Sequence, residues 1–154
     1  QKSDLFEGSA RVPLIVSVPG MTTAGKSTTA LTELVDLYPT LADLCGLTAP
    51  EHLMGDSLIS ILQRPQRKGK EAAYTVTRIR PKGFRSKDRP NPLGRTVRTV
   101  RYRYTEWSGG KHGFELYDYL EDPMEYHNLA EHTEHQETRN DLADLLAKMQ
   151  KKAN

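Results

Sequence analysis

The chain has 154 residues, 36% of them hydrophobic and 27% charged, with a net charge of +2. That length suits one domain or one and a fraction, with room for a real core, and the composition is that of an ordinary globular protein. No stretch approaches the roughly 18 apolar residues of a membrane-spanning helix, so no membrane span is expected.

The charge is unevenly spread. Arg64 to Arg103 holds 14 Lys/Arg against two acids, Glu71 and Asp88, whereas Tyr104 to Ala147 holds 11 Asp/Glu against Lys111 and Arg139. Two readings stand level: the halves neutralise each other across a fold, or the first forms a basic rim for an anionic ligand.

The opening "QKSDLFEG" has no apolar h-region and begins on Gln, so it reads as no signal peptide and leaves targeting illegible. "RVPLIVSVPG" is a short apolar run closed by Pro-Gly, as in a buried strand of a parallel sheet. "GMTTAGKST" follows, and Gly20, Gly25, Lys26 and Ser27 fit the phosphate-cradling pattern G-x-x-x-x-G-K-[ST]. In "LVDLYPTLADLCGL" the spacing of Leu37, Leu41, Leu44 and Cys45 predicts a helix with Asp36 as N-cap, Pro39 in the first turn and Gly46 ending it. Cys45, the single cysteine, is expected to be a buried structural thiol on that apolar face. "DSLISILQ" predicts a second short helix capped by Asp56 or Ser57.

"RPQRKGK" reads as a solvated connection and a subdomain boundary, which divides the chain into 1–66 and 67–154. "AAYTVTRI" predicts a strand, and "RPKGFRSKDRPNPLG" a long loop, of a length that is usually functional or disordered. "RTVRTVRYRYTEW" alternates with period two, predicting a hairpin that turns near Thr99–Arg101. "GFELYDY" is a further strand, and "ETRNDLADLLAKMQKK" sets Leu142, Leu145, Leu146 and Met149 on one face of a closing helix.

A phosphate loop needs a strand before it, a helix beginning at its Lys-Ser, and a carboxylate at the end of another apolar strand. "STTALTE" is a poor helix former, and no downstream apolar strand ends in Asp. A nucleotide-binding protein using Gly20–Ser27 therefore stands as the alternative reading, and a basic anion-binding module without chemistry as a third.

Five segments in order resemble the C-terminal part of sulfatases of the alkaline-phosphatase superfamily, of the iduronate-2-sulfatase-like kind. Lys2 to Val16, "KSDLFEGSARVPLIV", resembles the family's Lys-x-x-Leu-Phe/Trp-Glu…Arg-Val-Pro-Leu-Ile. "ELVDLYPTLADLCGL" and "GDSLISIL" resemble its Val-Asp-Leu-x-Pro-Thr-Leu and Gly-x-Ser-Leu-x-x-Leu-Leu stretches. "VRTVRYRYTEW" resembles its Arg-Thr-x-Arg-Tyr-Lys-Tyr hairpin, and "ELYDYLEDPMEYHNLA" its Asp-Pro-x-Glu-x-x-Asn-Leu ending.

The resemblance implies an alkaline-phosphatase-like α/β fold, of which 1–66 would be the end of the catalytic α/β domain. Residues 67–154 would form a small antiparallel four-stranded sheet with a closing helix. It implies hydrolysis of a sulfate ester of a sulfated glycan or other sulfated small molecule, through a formylglycine nucleophile and calcium. Lys2 matches the family lysine that contacts the sulfate. The nucleophile motif, Cys or Ser-x-Pro-x-Arg, does not occur here, and the family's metal ligands would precede Gln1. The expectation is a C-terminal fragment, inactive alone, that holds no metal ligand and has the rest of the sulfatase chain as partner. A periplasmic, secreted or lysosomal location is implied by resemblance only.

Arg78, Arg80, Lys82 and Arg85, around the long loop, are the residues best suited to gripping a polyanionic substrate. His112, beside Gly109, Gly110 and Lys111, reads either as a solvated turn histidine or as a substrate-facing one. Arg11 and Glu7 read as structural partners holding the loop after Lys2. His132 and His135 lack the converging ligands of a metal site. Strand patterning accounts for Arg101 and Arg103 between tyrosines, so no nucleic-acid partner is expected.

Overall fold

The structure, a computed structural model, describes residues 4–78 and 92–153. The chain forms two compact units: Leu14–Ala73, here the helical unit, and the residues up to Pro13 with Tyr74–Lys152, here the sheet unit.

The sheet unit is built on four strands in the order β1-β2-β3-β4. They are β1 (Ala73–Arg78), β2 (Leu93–Arg98), β3 (Tyr102–Trp107) and β4 (Phe114–Asp118). The β2–β3 hairpin turns over Thr99–Arg101 as the period-two pattern predicts, setting Thr96 opposite Thr105 and Arg98 opposite Arg103. β3 pairs antiparallel with β4, with Arg103 opposite Tyr117 and Tyr104 opposite Leu116.

Successive side chains of a strand leave on opposite faces. Val97, Tyr104 and Leu116 therefore share one face, and all three are buried. The closing helix α4 (Gln136–Lys152) packs on β2 and β3, and its Leu142 and Leu146, one turn apart, are buried. Arg139 ties α4 down: it donates to the carbonyl of Ala130 at 2.8 Å and its guanidinium lies 5.9 Å over the ring of Phe114.

The other face carries Thr96, Arg103, Thr105 and Tyr117, and it is covered too. Leu5 is buried there, and Phe6 tilts onto Tyr117 with ring centroids 5.9 Å apart. A one-turn helix, α1 (Glu7–Ala10), follows. Gly94 is needed beneath Leu5, because a Cβ at that position would collide with the Trp107 ring and approach Leu5 Cδ1 to 2.7 Å. Sequence reading set the boundary after Gln66 and grouped the opening residues with the first half. The structure instead joins residues 4–13 to the sheet unit, since the apolar partners of Leu5 and the ionic partners of Glu7 lie there.

In the helical unit a 3-10 turn, Leu34–Asp36, runs into α2 (Leu37–Leu44), and α3 spans Ile59–Gln63. Pro39 sits in the first turn of α2 as expected, and Gly46, at φ +67°, ends the helix in the left-handed conformation. The interior sets a polar cluster beside the buried Leu58, Ile61 and Ala72. Asp36 is fully buried, accepts from the backbone N–H groups of Glu33 at 2.8 Å and Asp56 at 2.9 Å, and receives Lys70 Nζ at 2.6 Å. Lys70 Nζ also donates to Glu33 at 2.6 Å. Thr40 donates to the Asp36 carbonyl at 2.6 Å and accepts the Leu58 N–H at 2.9 Å. Asp36 stands at the start of α2 but makes no side-chain cap there, because its carboxylate is turned inward to these donors.

Two expectations are corrected here. Residues 11–18 form no strand and Ile15 is 90% exposed; a parallel-sheet strand needs neighbours, and no described strand of this chain pairs with it. Cys45 is exposed rather than buried. The reason is that α2 turns Pro39 and Thr40 inward and presents Tyr38 and Leu41 outward.

Candidate functional site

Three of the sequence motifs meet on the covered polar face of the sheet. Glu7 comes from α1, Arg98 from β2, Arg103 from β3, and Tyr119 and Glu125 from the turn after β4. Arg103 is 2% exposed and lies between the two carboxylates. Its Nε donates to Glu125 Oε1 at 2.7 Å and its Nη2 donates to Glu7 Oε2. Arg98 Nε donates to Glu7 Oε2 at 3.2 Å, and its guanidinium stacks 3.6 Å from the centre of the Tyr119 ring. Tyr119 OH donates to Glu125 Oε1. The second oxygen of Glu125 accepts the backbone N–H of Glu7 at 2.7 Å, so α1 is held by both its side chain and its main chain. Arg11 adds an exposed ion pair to Glu7 at 3.6 Å, the partnership expected from sequence.

The loop after β4 is shaped to deliver Glu125. Asp122 accepts the His127 N–H at 2.7 Å. Asn128 accepts the Leu116 N–H at 2.9 Å and donates to the Phe114 carbonyl at 3.0 Å. Glu125 itself sits at φ +58°, a conformation uncommon outside glycine, asparagine and aspartate.

The electrostatics fix charge states. Burial pushes the Glu7 carboxyl upward, but the hydrogen bonds and charges of Arg98 and Arg103 outweigh it and hold it below the ordinary range. Burial pushes the Arg103 guanidinium downward, but Tyr119, Glu125 and Glu7 outweigh it and hold it above its ordinary value. Burial, with the Glu125 hydrogen bond, pushes the Tyr119 hydroxyl well above its ordinary value, keeping it a neutral donor. Among the described residues every buried side-chain polar atom has a partner. Such a balanced cluster offers no proton near neutral pH; what it does is fix position.

The sequence-predicted residues lie elsewhere. Lys2, Arg80, Lys82 and Arg85 fall outside the described residues. Arg78 ends β1 and is exposed. His112 is exposed in the β3–β4 turn, where its N–H bonds the Trp107 carbonyl at 3.1 Å. Arg78 lies on β1 and His112 between β3 and β4, strands that are not neighbours of β1 in the sheet. Sequence reasoning missed the Arg103–Glu125 pairing. Its signals were the phase of Arg103, shared with Thr105 on a strand, and the Asp-Pro-x-Glu ending. Of the two charge readings, neutralisation holds for Arg103 with Glu125 and for Arg101 with Asp118 at 2.6 Å, both crossing from the basic to the acidic segment.

The phosphate-loop alternative finds no geometry in its favour. The amides of Met21 and Lys26 close turns on the carbonyls of Val18 at 3.2 Å and Thr23 at 3.1 Å. No helix begins at Lys26, the next helical residue being Leu34. Met21, Gly25 and Lys26, with Ile61, Leu62 and Pro65, line a cavity of about 100 Å³, well under the roughly 300 Å³ at which ligand pockets begin. Among the described residues no group of three or more His, Cys, Asp or Glu could hold a metal ion.

The chain matches the family profile of N-sulphoglucosamine sulphohydrolase, C-terminal, over residues 1–152. Human arylsulfatase K is 30% identical over 133 residues, covering 84% of this chain and 24% of that protein. The Δ4,5-hexuronate-2-O-sulfatase of Bacteroides thetaiotaomicron is 35% identical over 127 residues, covering 81% of this chain and 25% of the relative. Thus the chain spans about a quarter of the length of these curated relatives. Among solved structures, a protein in complex with its substrate, D-glucosamine-2-N,6-O-disulfate, superposes with a TM-score of 0.84 at 25% identity, covering 99% of this chain and 30% of that one. The phosphonate monoester hydrolase of Agrobacterium radiobacter superposes with a TM-score of 0.67 at 27% identity, covering 82% of this chain and 26% of that one. The chain belongs to the N-sulphoglucosamine sulphohydrolase C-terminal family and is a C-terminal sulfatase portion of alkaline-phosphatase-like fold.

Proposed function

We propose that this chain is the C-terminal quarter of a sulfatase that hydrolyses sulfate esters of a sulfated glycan or another sulfated sugar. The observation that carries this reading is the overlap of nearly the whole chain with a protein bound to a disulfated glucosamine. On this reading Lys2 contacts the sulfate, and Arg78, Arg80, Lys82, Arg85 and His112 grip the remainder of the substrate. The formylglycine nucleophile and the calcium ligands come from the rest of the sulfatase chain; calcium, when bound, would hold sulfate oxygens and offset charge developing on them. The helical unit is then the end of the catalytic domain and the sheet unit its C-terminal subdomain. The helical unit's exposed apolar side chains, Leu34, Tyr38, Leu41 and Leu47 among them, support a covering partner of that kind. By the same likeness the enzyme is periplasmic, secreted or lysosomal. No helix among the described residues is long and apolar enough to cross a membrane.

The test is sulfate release from glucosamine 6-sulfate, N-sulfoglucosamine and a 2-O-sulfated unsaturated hexuronate disaccharide. The full-length protein is expected to release sulfate from at least one of them, and the 154-residue chain from none. Release by the isolated chain, or none by the full-length protein from any of the three, would overturn the reading.

A further inference from the structure

We infer that Lys26, Arg64, Arg67 and Lys68 form a second anion-binding surface, on the helical unit, that holds an extended sulfated glycan beyond the sugar being cut; this rests on the sulfated-glycan reading above. The residues come from two sequence motifs that the proposed function leaves unused, "GMTTAGKST" and "RPQRKGK". Three observations converge on it. First, the two loops are packed together within one unit. Thr23 Oγ1 donates to the Leu62 carbonyl at 2.5 Å, and Lys26 and Pro65 line one small cavity. A turn then closes Arg64 on Arg67, whose N–H donates to the Arg64 carbonyl at 2.9 Å, keeping their Cα atoms within about 7 Å. Second, all four residues are exposed, and among the described residues none of them makes an ion pair. Residues 14–32 and 57–70 contain no Asp or Glu. Lys70, the other cation of the second stretch, is instead turned inward to Glu33 and Asp36, each at 2.6 Å. Third, neither stretch holds a Phe, Tyr or Trp, so the surface lacks the stacking aromatics with which proteins hold single-stranded nucleic acid. Exposed cations held close repel one another, and a bound polyanion relieves that repulsion while releasing its own counterions. The two arginine forks suit sulfate oxygens as they suit those of phosphate. None of the four is among the residues assigned above to the sugar being cut, so the surface serves affinity for a long chain rather than the chemical step.

The test uses the full-length enzyme, with a heparin octasaccharide as the long probe and, as the short one, whichever of the three sugars named above it cuts. Combining Lys26→Gln, Arg64→Gln, Arg67→Gln and Lys68→Gln is expected to weaken octasaccharide binding about 10-fold and to flatten its salt dependence. In the same variant kcat and KM for the short sugar are expected to stay within about twofold of wild type. The pair Arg64→Gln with Arg67→Gln is expected to lose about threefold in octasaccharide affinity and serves if the fourfold variant does not fold. Wild-type octasaccharide affinity in the folded variant, or an equal rise in KM for the short sugar, would overturn the second surface and leave the sulfatase reading standing. Single-stranded DNA of equal charge, or phosphatidylserine vesicles, bound through these residues as tightly as the octasaccharide would overturn the glycan as the partner. If the wild-type enzyme cuts none of the three sugars, the sulfatase reading falls and this proposal with it.

Discussion

The two units of this chain differ in how much of their apolar surface they bury. In the sheet unit, Val97, Tyr104, Leu116, Leu142 and Leu146 lie inside on one face, and Arg103, paired with acids, lies inside on the other. In the helical unit Asp36 and Thr40 lie inside with Leu58, Ile61 and Ala72, while Leu34, Tyr38, Leu41 and Leu47 face out. Both arrangements obey the same rule, that buried polar groups are paired. They differ in where the apolar surface goes, since an element must bury its apolar stripe against another layer. The sheet unit supplies that layer itself, through α4 and residues 4–10. The helical unit leaves its stripe uncovered, as a piece of a larger core would.

The comparison is broken most directly by attacking the ion cluster. Arg103→Met leaves Glu7 and Glu125 facing each other without their buried cation and is expected to cost about 3–5 kcal/mol of unfolding free energy. A shift in denaturant midpoint worth less than about 1 kcal/mol would mean that the cluster is not holding the sheet unit together.

Next come paired truncations in the isolated chain. Leu116→Ala, with its side chain fully buried, is expected to cost about 2–5 kcal/mol. Leu41→Ala, at a side chain 61% exposed, should stay within about 0.5 kcal/mol. Thermal unfolding of each variant checks this, and repeating Leu41→Ala in the full-length protein is expected to enlarge its effect. Equal losses at the two positions in the isolated chain would erase the distinction between the units.

The smallest effects are those of pH. Arg101 holds Asp118 below its ordinary value, and Glu7 is held below its own against the upward push of burial. Both bind protons less readily folded than unfolded, so the stability they contribute is present above the ordinary values of 3.8 and 4.5 and is lost as pH falls through the folded ones. Glu115 has the opposite sign: burial raises it, despite the Trp107 hydrogen bond, so stability falls as pH rises from 4.5 through its folded value. Glu115→Gln keeps an acceptor for Trp107 Nε1, at 2.8 Å in the wild-type protein, and is expected to remove that decline in unfolding midpoints between pH 4.5 and 7. An unchanged decline would assign it to another group.

How much was legible in the sequence follows the same division. β1 and β4 were legible as strands, and period two placed the β2–β3 hairpin and its turn at Thr99–Arg101, because the sheet unit contains its own partners. The family segments carrying Lys2, Glu7, Arg98 and Glu125 were visible as motifs. Their meeting was not, because Glu7 and Arg103 are 96 residues apart in the chain. Residues 11–18 and Cys45 were misread for one reason: an apolar pattern reports that a surface wants cover, without saying whether this chain provides it. The Gly-Lys-Ser loop was set second because no helix starts at its Lys-Ser; the turns that engage its amides were not legible in its letters.

Amide hydrogen exchange, measured on the 154-residue chain and on the full-length protein, tests the central claim most directly. In the isolated chain Val97, Tyr104 and Leu116 are expected to be protected while Leu58 and Ile61 exchange much faster; in the full-length protein both sets are expected to be protected. Equal protection of the two sets in the isolated chain, with no gain in the full-length protein, would contradict the claim that the helical unit is completed by the rest of a sulfatase.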